Sequence, residues 1–312
     1  MKTLGIVFPE KKRAEVIETE VPRLKPDEVL AKTIVNGICM WELHCFHHMD
    51  DLAGYRPGHE GIGVVEEVGA DVKDIVPGDY ITTLEWSQYT VQKRADLIKV
   101  APIPKGSDAG IYMLEPLACV INAVGHTPLY PSDKVFISGS GYMGLMLLKL
   151  LSGYPLSRIV VSDIKPENLA LAKRFGADEI INVADAAQVG ALQDDAYQAT
   201  FECSGSAAGL SLCNRLTARG GSLGIYAWHH GTREVDTNSW HEKGLRILNL
   251  TPGITANEKR FRSFQAAADL TASGKFSQEG LITHRYTIHQ AQQAMEDSTT
   301  RGVGFIKSIF EF

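Results

Sequence analysis

The sequence predicts an α/β fold in which a doubly wound parallel-sheet domain is inserted into a β-rich, barrel-like domain. Two textures and one turn predict it. Short runs of β-branched and apolar residues, separated by proline and charged turns, fill the first hundred residues. From Val135 strand and helix alternate, and the glycine-rich turn GSGYMG, Gly139 to Gly144, sits at the first strand-to-helix junction of that second region.

Along the chain, residues 3–8, 14–21, 28–38, 61–68 and 79–84 read as strands, for which antiparallel, barrel-like closure is the simplest pairing. Further strands are expected over 134–138, 158–162, 179–182, 198–203 and 222–227. Helices are expected over 142–152 and 166–175, with another between the last two strands. That alternation predicts a parallel sheet with right-handed crossovers. Thr255 with Glu258 three residues on makes a capping-box pattern for a helix that stops at Gly274. The remainder, a short helix and a strand over 304–312, is too small for a domain and is expected to return to the first. The predicted domains are 1–122 with 257–312, and 123–256.

With 312 residues, 44% hydrophobic and 22% charged, the chain can bury two cores without disulfides. Its 31 basic and 37 acidic residues give a net charge of −6 with no block of like charge, which argues against a nucleic-acid partner. The greasiest stretch, 145–151, is interrupted by Lys149, and no apolar run follows Lys2. A cytoplasmic protein without signal peptide or membrane partner is expected. Five irregularly spaced cysteines, Cys39, Cys45, Cys119, Cys203 and Cys213, argue for reduced thiols. No C-x-x-C pair occurs, which excludes a closed four-cysteine structural zinc.

In GSGYMG, Gly139 allows the tight turn out of the strand, Gly141 lets backbone approach a pyrophosphate, and Gly144 lets the helix pack on the strand. The helix start adds free N–H groups and the positive end of the dipole. The turn follows the apolar strand Lys-Val-Phe-Ile-Ser. Asp163 closes the next strand nineteen residues beyond Gly144, where a carboxylate meets the adenosine ribose hydroxyls. That carboxylate repels a 2′-phosphate, so NAD is expected over NADP, with Lys165 nearby weakening the preference.

A second constellation precedes the turn: Cys39 in GIC, His59 and Glu60 in PGHEG, and Glu115 opening EPLACVINAV. A catalytic zinc takes three ligands from such residue types and keeps one position open. Spacing alone leaves open that Cys39 is a small buried hydrophobe, His59 a turn residue and Glu115 a charge at a helix N-terminus.

The segments NGIC with ELH at 42–44, PGHEGIGVVEEVG, PGDYI, EPLACVINAV, VFISGSGYMG, AKRFGADEIIN, FECSGS and LITHRY run in order over nearly the whole chain. Together they resemble the medium-chain dehydrogenase/reductase superfamily, and within it the zinc-dependent polyol and secondary-alcohol branch that includes sorbitol and threonine dehydrogenases. The resemblance implies a Rossmann domain inserted into a GroES-like catalytic barrel. It implies Cys39, His59 and Glu115 as zinc ligands, with Glu60 joining the metal or sitting just behind it. It further implies His44 as the outer proton relay, and Gly139, Gly141, Tyr142, Met143, Gly144, Asp163, Cys203 and Ser204 as cofactor contacts. With the Cys39 thiolate and both glutamates bound, the ligands carry −3 against Zn²⁺; without Glu60 the centre is neutral and the stronger Lewis acid. Glu60 is therefore expected off the metal when substrate is bound.

The chain departs from the family pattern in two places. Relatives follow the zinc cysteine with Gly-Thr/Ser-Asp, whose hydroxyl relays the alcohol proton; here the run is Cys39, Met40, Trp41, Glu42. An indole cannot accept and pass on a proton as a hydroxyl does, so the proton must leave through water, another side chain, or His44 by a new route. Glu42 replaces the aspartate that orients the zinc histidine, and its longer side chain can still accept from His59. Glu115 follows Gly78 by only 37 positions with no cysteine between them, so the structural-zinc lobe is missing and one zinc per chain is expected.

Trp41, Trp86, Trp228 and His229 are candidates for the substrate pocket, with core packing as the alternative for the aromatics. The expected function is hydride transfer between NAD and a secondary alcohol, of polyol or related hydroxylated type, giving the ketone. A homo-oligomer is expected. Alternatives are a zinc-free NAD(P)H-dependent reductase of the same superfamily and a catalytically silent dinucleotide-binding protein.

Overall fold

The computed structural model describes residues 1–49, 55–250 and 257–312, the stretch 257–261 by its backbone alone. The Thr255 capping box lies outside the described residues. Two compact units form: Met1–Leu117 with Phe264–Phe312, and Ala118–Ser263. Both boundaries fall within helices, α2 (Leu114–His126) and α8 (Asn257–Ala272), whereas the sequence reading placed the second at a helix start.

In the first unit β1 (Lys2–Glu10) and β2 (Arg13–Glu20) form an antiparallel pair. β3 (Glu28–Gly37) leads into α1 (Met40–His48), and then follow β4 (Gly61–Val68), β5 (Tyr80–Leu84), β6 (Tyr89–Lys93) and β7 (Ile98–Val100). α1 has no counterpart in the sequence reading. In MWELHCFHH the buried positions include Glu42 as well as Leu43, Cys45 and Phe46, which blurs the apolar stripe that identifies a helix.

The second unit alternates as expected: β8 (Lys134–Ser138), α3 (Tyr142–Leu151), β9 (Arg158–Asp163), α4 (Pro166–Arg174), β10 (Glu179–Asn182), α5 (Ala186–Gly190), β11 (Tyr197–Glu202), α6 (Ala207–Leu216), β12 (Thr217–Ile225), α7 (Thr237–Lys243) and β13 (Arg246–Asn249). All neighbours in its six-stranded sheet are parallel, in the order β10-β9-β8-β11-β12-β13. The strand order reverses between β8 and β11, and an open α/β sheet binds ligands outside the strand ends at such a switch point. Phe136, Val160, Leu216 and Leu223 fill the core of this unit.

After α8 the chain supplies β14 (Ile282–Thr287), α9 (Ala291–Thr300) and β15 (Lys307–Glu311), which complete the first unit's sheet in the order β14-β15-β3-β4-β5-β7, with β6 also on β3. The end of the chain thus returns to the first unit. β15 pairs with β3 through Ile309 and Gly37, beside the residues that follow β3. No helix among the described residues is long and apolar enough to cross a membrane.

Candidate metal and dinucleotide sites

β3 ends at Gly37, and two residues later Cys39 occupies the N-cap position of α1. Glu42, in the first turn, is buried and its carboxylate is fully engaged. Oε2 accepts from Cys39 N at 3.2 Å; Oε1 accepts from Gly58 N at 3.1 Å and pairs with His59 Nδ1 at 2.7 Å. A carboxylate only accepts, so His59 must be the donor at Nδ1, which leaves Nε2 to act as a ligand. Glu42 therefore sets the position of three consecutive parts of the site: the cysteine's backbone, the turn before the histidine, and the histidine ring.

Two triads of ligand atoms result, each with all its atoms within 4.8 Å of one another: Cys39, Glu42 and His59; and His59, Glu60 and Glu115. They share His59. Since Glu42 is spent on orientation, the donors left for a metal are the Cys39 thiol, His59 Nε2 and the carboxylates of Glu60 and Glu115. Glu115 comes from the first turn of α2. Burial raises the Cys39 thiol's pKa, with the His59 hydrogen bond opposing. At His59 burial favours the neutral ring, but the Glu42 and Cys39 contacts outweigh it and raise its pKa well above the usual range. A divalent cation inverts this logic, since it deprotonates a coordinating thiol outright. Sulfur, imidazole and carboxylate together suit zinc.

Glu60 has a partner the sequence reading did not include. Lys307, at the start of β15, places Nζ 2.9 Å from Glu60 Oε1 and 2.6 Å from Oε2, and donates also to Ile38 O at 2.9 Å. Both side chains are buried. Gly37 is required beneath them, because a Cβ there would run into the Glu60 carboxylate. The signal for Lys307 was a single charged residue within the mostly apolar run GFIKSIF, which needs a buried partner to be tolerated.

One pocket assignment is corrected. Trp86 is 1% exposed, its indole N–H donates to Gly37 O at 3.1 Å, and its ring lies edge-on to Phe8 and Phe310. With its polar handle satisfied inside, it is a core residue that backs the PGHEG turn, where a Cβ on Gly58 would lie 2.5 Å from its ring. Trp41, by contrast, is 42% exposed, its ring stacked with His44 at 6.1 Å. Trp228 in the second unit is 44% exposed.

In the second unit Gly139 has φ +100°, and a Cβ there would lie 2.7 Å from Ser204 N. A Cβ on Gly144 would collide with Gly139 O, whereas one on Gly141 would meet nothing within 4 Å, leaving open space over the start of α3. Gly141 is the N-cap of α3, followed by buried Tyr142 and half-buried Met143. Asp163 Oδ2 accepts from Ser140 N at 2.7 Å and Ser140 Oγ at 2.9 Å, and Oδ1 from Lys165 N at 2.9 Å. Cys203 donates its N–H to Ser138 O at 2.8 Å; burial foremost, then Glu202, raises its thiol well above the usual range, so it stays protonated.

Residues 141–302 match the zinc-binding dehydrogenase family and residues 25–112 the alcohol dehydrogenase GroES-like domain. The chain belongs to the zinc-type alcohol dehydrogenases of the medium-chain superfamily. It is 26% identical to sorbitol dehydrogenase of Arabidopsis thaliana over 93% of this chain and 90% of that protein. It is also 26% identical to L-idonate 5-dehydrogenase of Vitis vinifera, over 93% and 89%. Galactitol-1-phosphate dehydrogenase from Escherichia coli has the same fold, with a TM-score of 0.83 at 21% identity over 100% of both chains. So does a Sinorhizobium meliloti protein described as a zinc-binding dehydrogenase and bound to NADP, with a TM-score of 0.87 at 21% identity over 100% of both chains.

Proposed function

We propose that this protein is a zinc-dependent, NAD-linked dehydrogenase that interconverts a secondary alcohol, of the polyol or related hydroxylated class, and its ketone. The observation that carries this reading is the pair of triads sharing His59, in a chain whose other unit bears a glycine turn and a strand-end carboxylate. Cys39, His59 and Glu115 hold the metal, Glu42 fixes the ring of His59, and Glu60 stands by, paired to Lys307. Zinc held by these residues would supply the Lewis acidity that lowers the pKa of a substrate hydroxyl, and a dinucleotide held by the second unit would supply the hydride acceptor. Trp41, exposed in the first turn of α1 two residues after Cys39, is an aromatic surface for a hydroxylated substrate. The sorbitol and L-idonate dehydrogenases among its relatives support the substrate class.

NAD is favoured over NADP because the Asp163 carboxylate is pinned at the end of β9 by three hydrogen bonds from the protein, two from Ser140 and one from Lys165, and cannot swing away from a 2′-phosphate. The NADP-bound Sinorhizobium neighbour shares only the fold at its level of identity.

The test is NADH production by the zinc-loaded protein over a panel of polyols, sugar acids and simple secondary alcohols. Turnover of one or more polyols is expected. One observation favours a second reading: Trp41 stands where relatives relay the proton, as it would in a dinucleotide-binding protein without catalysis. Bound zinc and bound NADH with no turnover across the panel would establish that reading instead.

A further inference from the structure

In the second unit the carboxylate of Glu202, at the end of β11, is fully buried. Its Oε1 accepts from Ser204 N at 2.8 Å, Ser204 Oγ at 2.5 Å and Gly205 N at 3.0 Å. Its Oε2 pairs with His229 Nε2 at 2.7 Å. His229 lies just beyond β12, on a segment held to β11 by Tyr226 N and Ala227 N, both donating to Glu202 O. The imidazole is only 10% exposed, and its Nδ1 is buried without a hydrogen-bond partner among the described residues. Since the carboxylate can only accept, Nε2 is the donor of this bond, and in the tautomer that this selects Nδ1 is the acceptor. A buried polar atom left unpaired costs free energy, so the unpaired Nδ1 points to a ligand.

The topology indicates which part of a ligand. A doubly wound sheet consists of two mononucleotide-binding halves, here β8-α3-β9-α4-β10 and β11-α6-β12-α7-β13. In the first half, Asp163 at the end of β9 takes the place that meets the adenosine ribose hydroxyls. The strand of the second half equivalent to β9 is β12, and His229 stands just past its end. We propose that His229, oriented by Glu202, binds the ribose hydroxyls of the nicotinamide half of the dinucleotide through Nδ1. Glu202 is its positioning residue. This assigns His229 to cofactor recognition rather than to the substrate pocket, and it rests on the reading of the second unit as a dinucleotide site.

The experiment measures NADH and AMP binding by calorimetry, without substrate, for the wild type, His229→Gln and His229→Phe. A glutamine can place its amide nitrogen where Nε2 lies and keep the bond to Glu202, but it puts nothing at the place of Nδ1. Expected is an NADH Kd about tenfold higher in His229→Gln, the loss of about one hydrogen bond. AMP, which uses only the first half, should bind as in the wild type, and His229→Phe should weaken NADH at least as much. Wild-type NADH affinity in His229→Gln would overturn the proposal, because it would reduce His229 to a structural partner of Glu202. Equal weakening of NADH and AMP would overturn it as well, as general damage to the unit. A wild-type protein that bound neither ligand would refute the dinucleotide reading itself, a result distinct from both.

Discussion

Lys307 Nζ contacts both oxygens of the buried Glu60 carboxylate, at 2.9 and 2.6 Å. This pair alters the electrostatics of the candidate metal site. Counting Cys39, Glu60 and Glu115 as anions gives −3 and Lys307 returns one positive charge, so these four groups carry −2 whether or not Glu60 touches the metal, and the Glu42 carboxylate adds one further negative charge behind His59. A swing of Glu60 onto the metal would thus change coordination without changing the net charge of the cluster, while costing it contact with the lysine.

Removing Lys307 should leave Glu60 as an unpaired buried charge. Lys307→Met is expected to destabilise the first unit by about 3–5 kcal/mol, the usual cost of breaking a buried pair from one side. Lys307→Met combined with Glu60→Gln should recover most of that loss, because neither charge remains. Urea denaturation of the two variants checks this, and an unchanged midpoint in Lys307→Met would show that the pair carries no such strain.

The metal itself should be present at close to one zinc per chain. Cys39→Ser and His59→Ala should lose zinc and activity together, whereas Glu60→Gln should retain most of the zinc. Glu42→Ala touches no metal directly but frees the ring of His59, and a loss of about 10–100-fold in zinc affinity is expected from removing such an orienting carboxylate. Elemental analysis with chelator competition reads all four. Two tightly held zincs per chain in the wild type would contradict the assignment.

Where the sequence was informative, the signals were local. β8, the GSGYMG turn, α3 and β9 follow one another with an apolar strand, three glycines and a helix buried on nearly all sides, and each can be read without knowing the fold. Cys39, His59, Glu60 and Glu115 could be read as ligand types, but their convergence depends on where β3, β4 and α2 lie in space. The Lys307–Glu60 pair spans 247 positions, and nothing local marks it beyond a lysine in an apolar strand. Trp86 misled because an aromatic looks the same in the sequence whether it faces a pocket or the core; what decides is the Gly37 carbonyl waiting for its N–H. α1 escaped because one of its inward positions holds a charge, Glu42, whose role is to hold His59.

Cofactor choice should follow Asp163. Asp163→Ser removes the charge that opposes a 2′-phosphate and also the acceptor that Ser140 uses through N and Oγ, so NAD affinity should fall while NADP affinity rises. Side-by-side kcat/KM for the two cofactors should show the wild type preferring NAD and the variant narrowing the gap. A wild-type preference for NADP would refute the role given to the carboxylate.

The last expectation concerns Trp41, where the chain differs most from the family pattern. Its indole is 42% exposed on the first turn of α1, two residues after Cys39, and it stacks with His44 at 6.1 Å with 29° between the rings. Because an indole N–H donates but does not accept, no proton passes through residue 41. The side chain acts through its bulk and through the ring it lays on His44. Trp41→Thr should therefore change the ranking of a polyol panel, since a large surface near the candidate metal ligands is replaced by a small one that carries a hydroxyl. Trp41→Phe keeps the bulk and the stacking while removing the N–H, and should be the milder change. His44→Ala then tests the exit route: a shift in the pH profile of kcat, which reports groups that titrate in the bound complex, would place His44 on the proton path. An unaltered ranking of polyols in Trp41→Thr would show that the indole does not shape the substrate pocket.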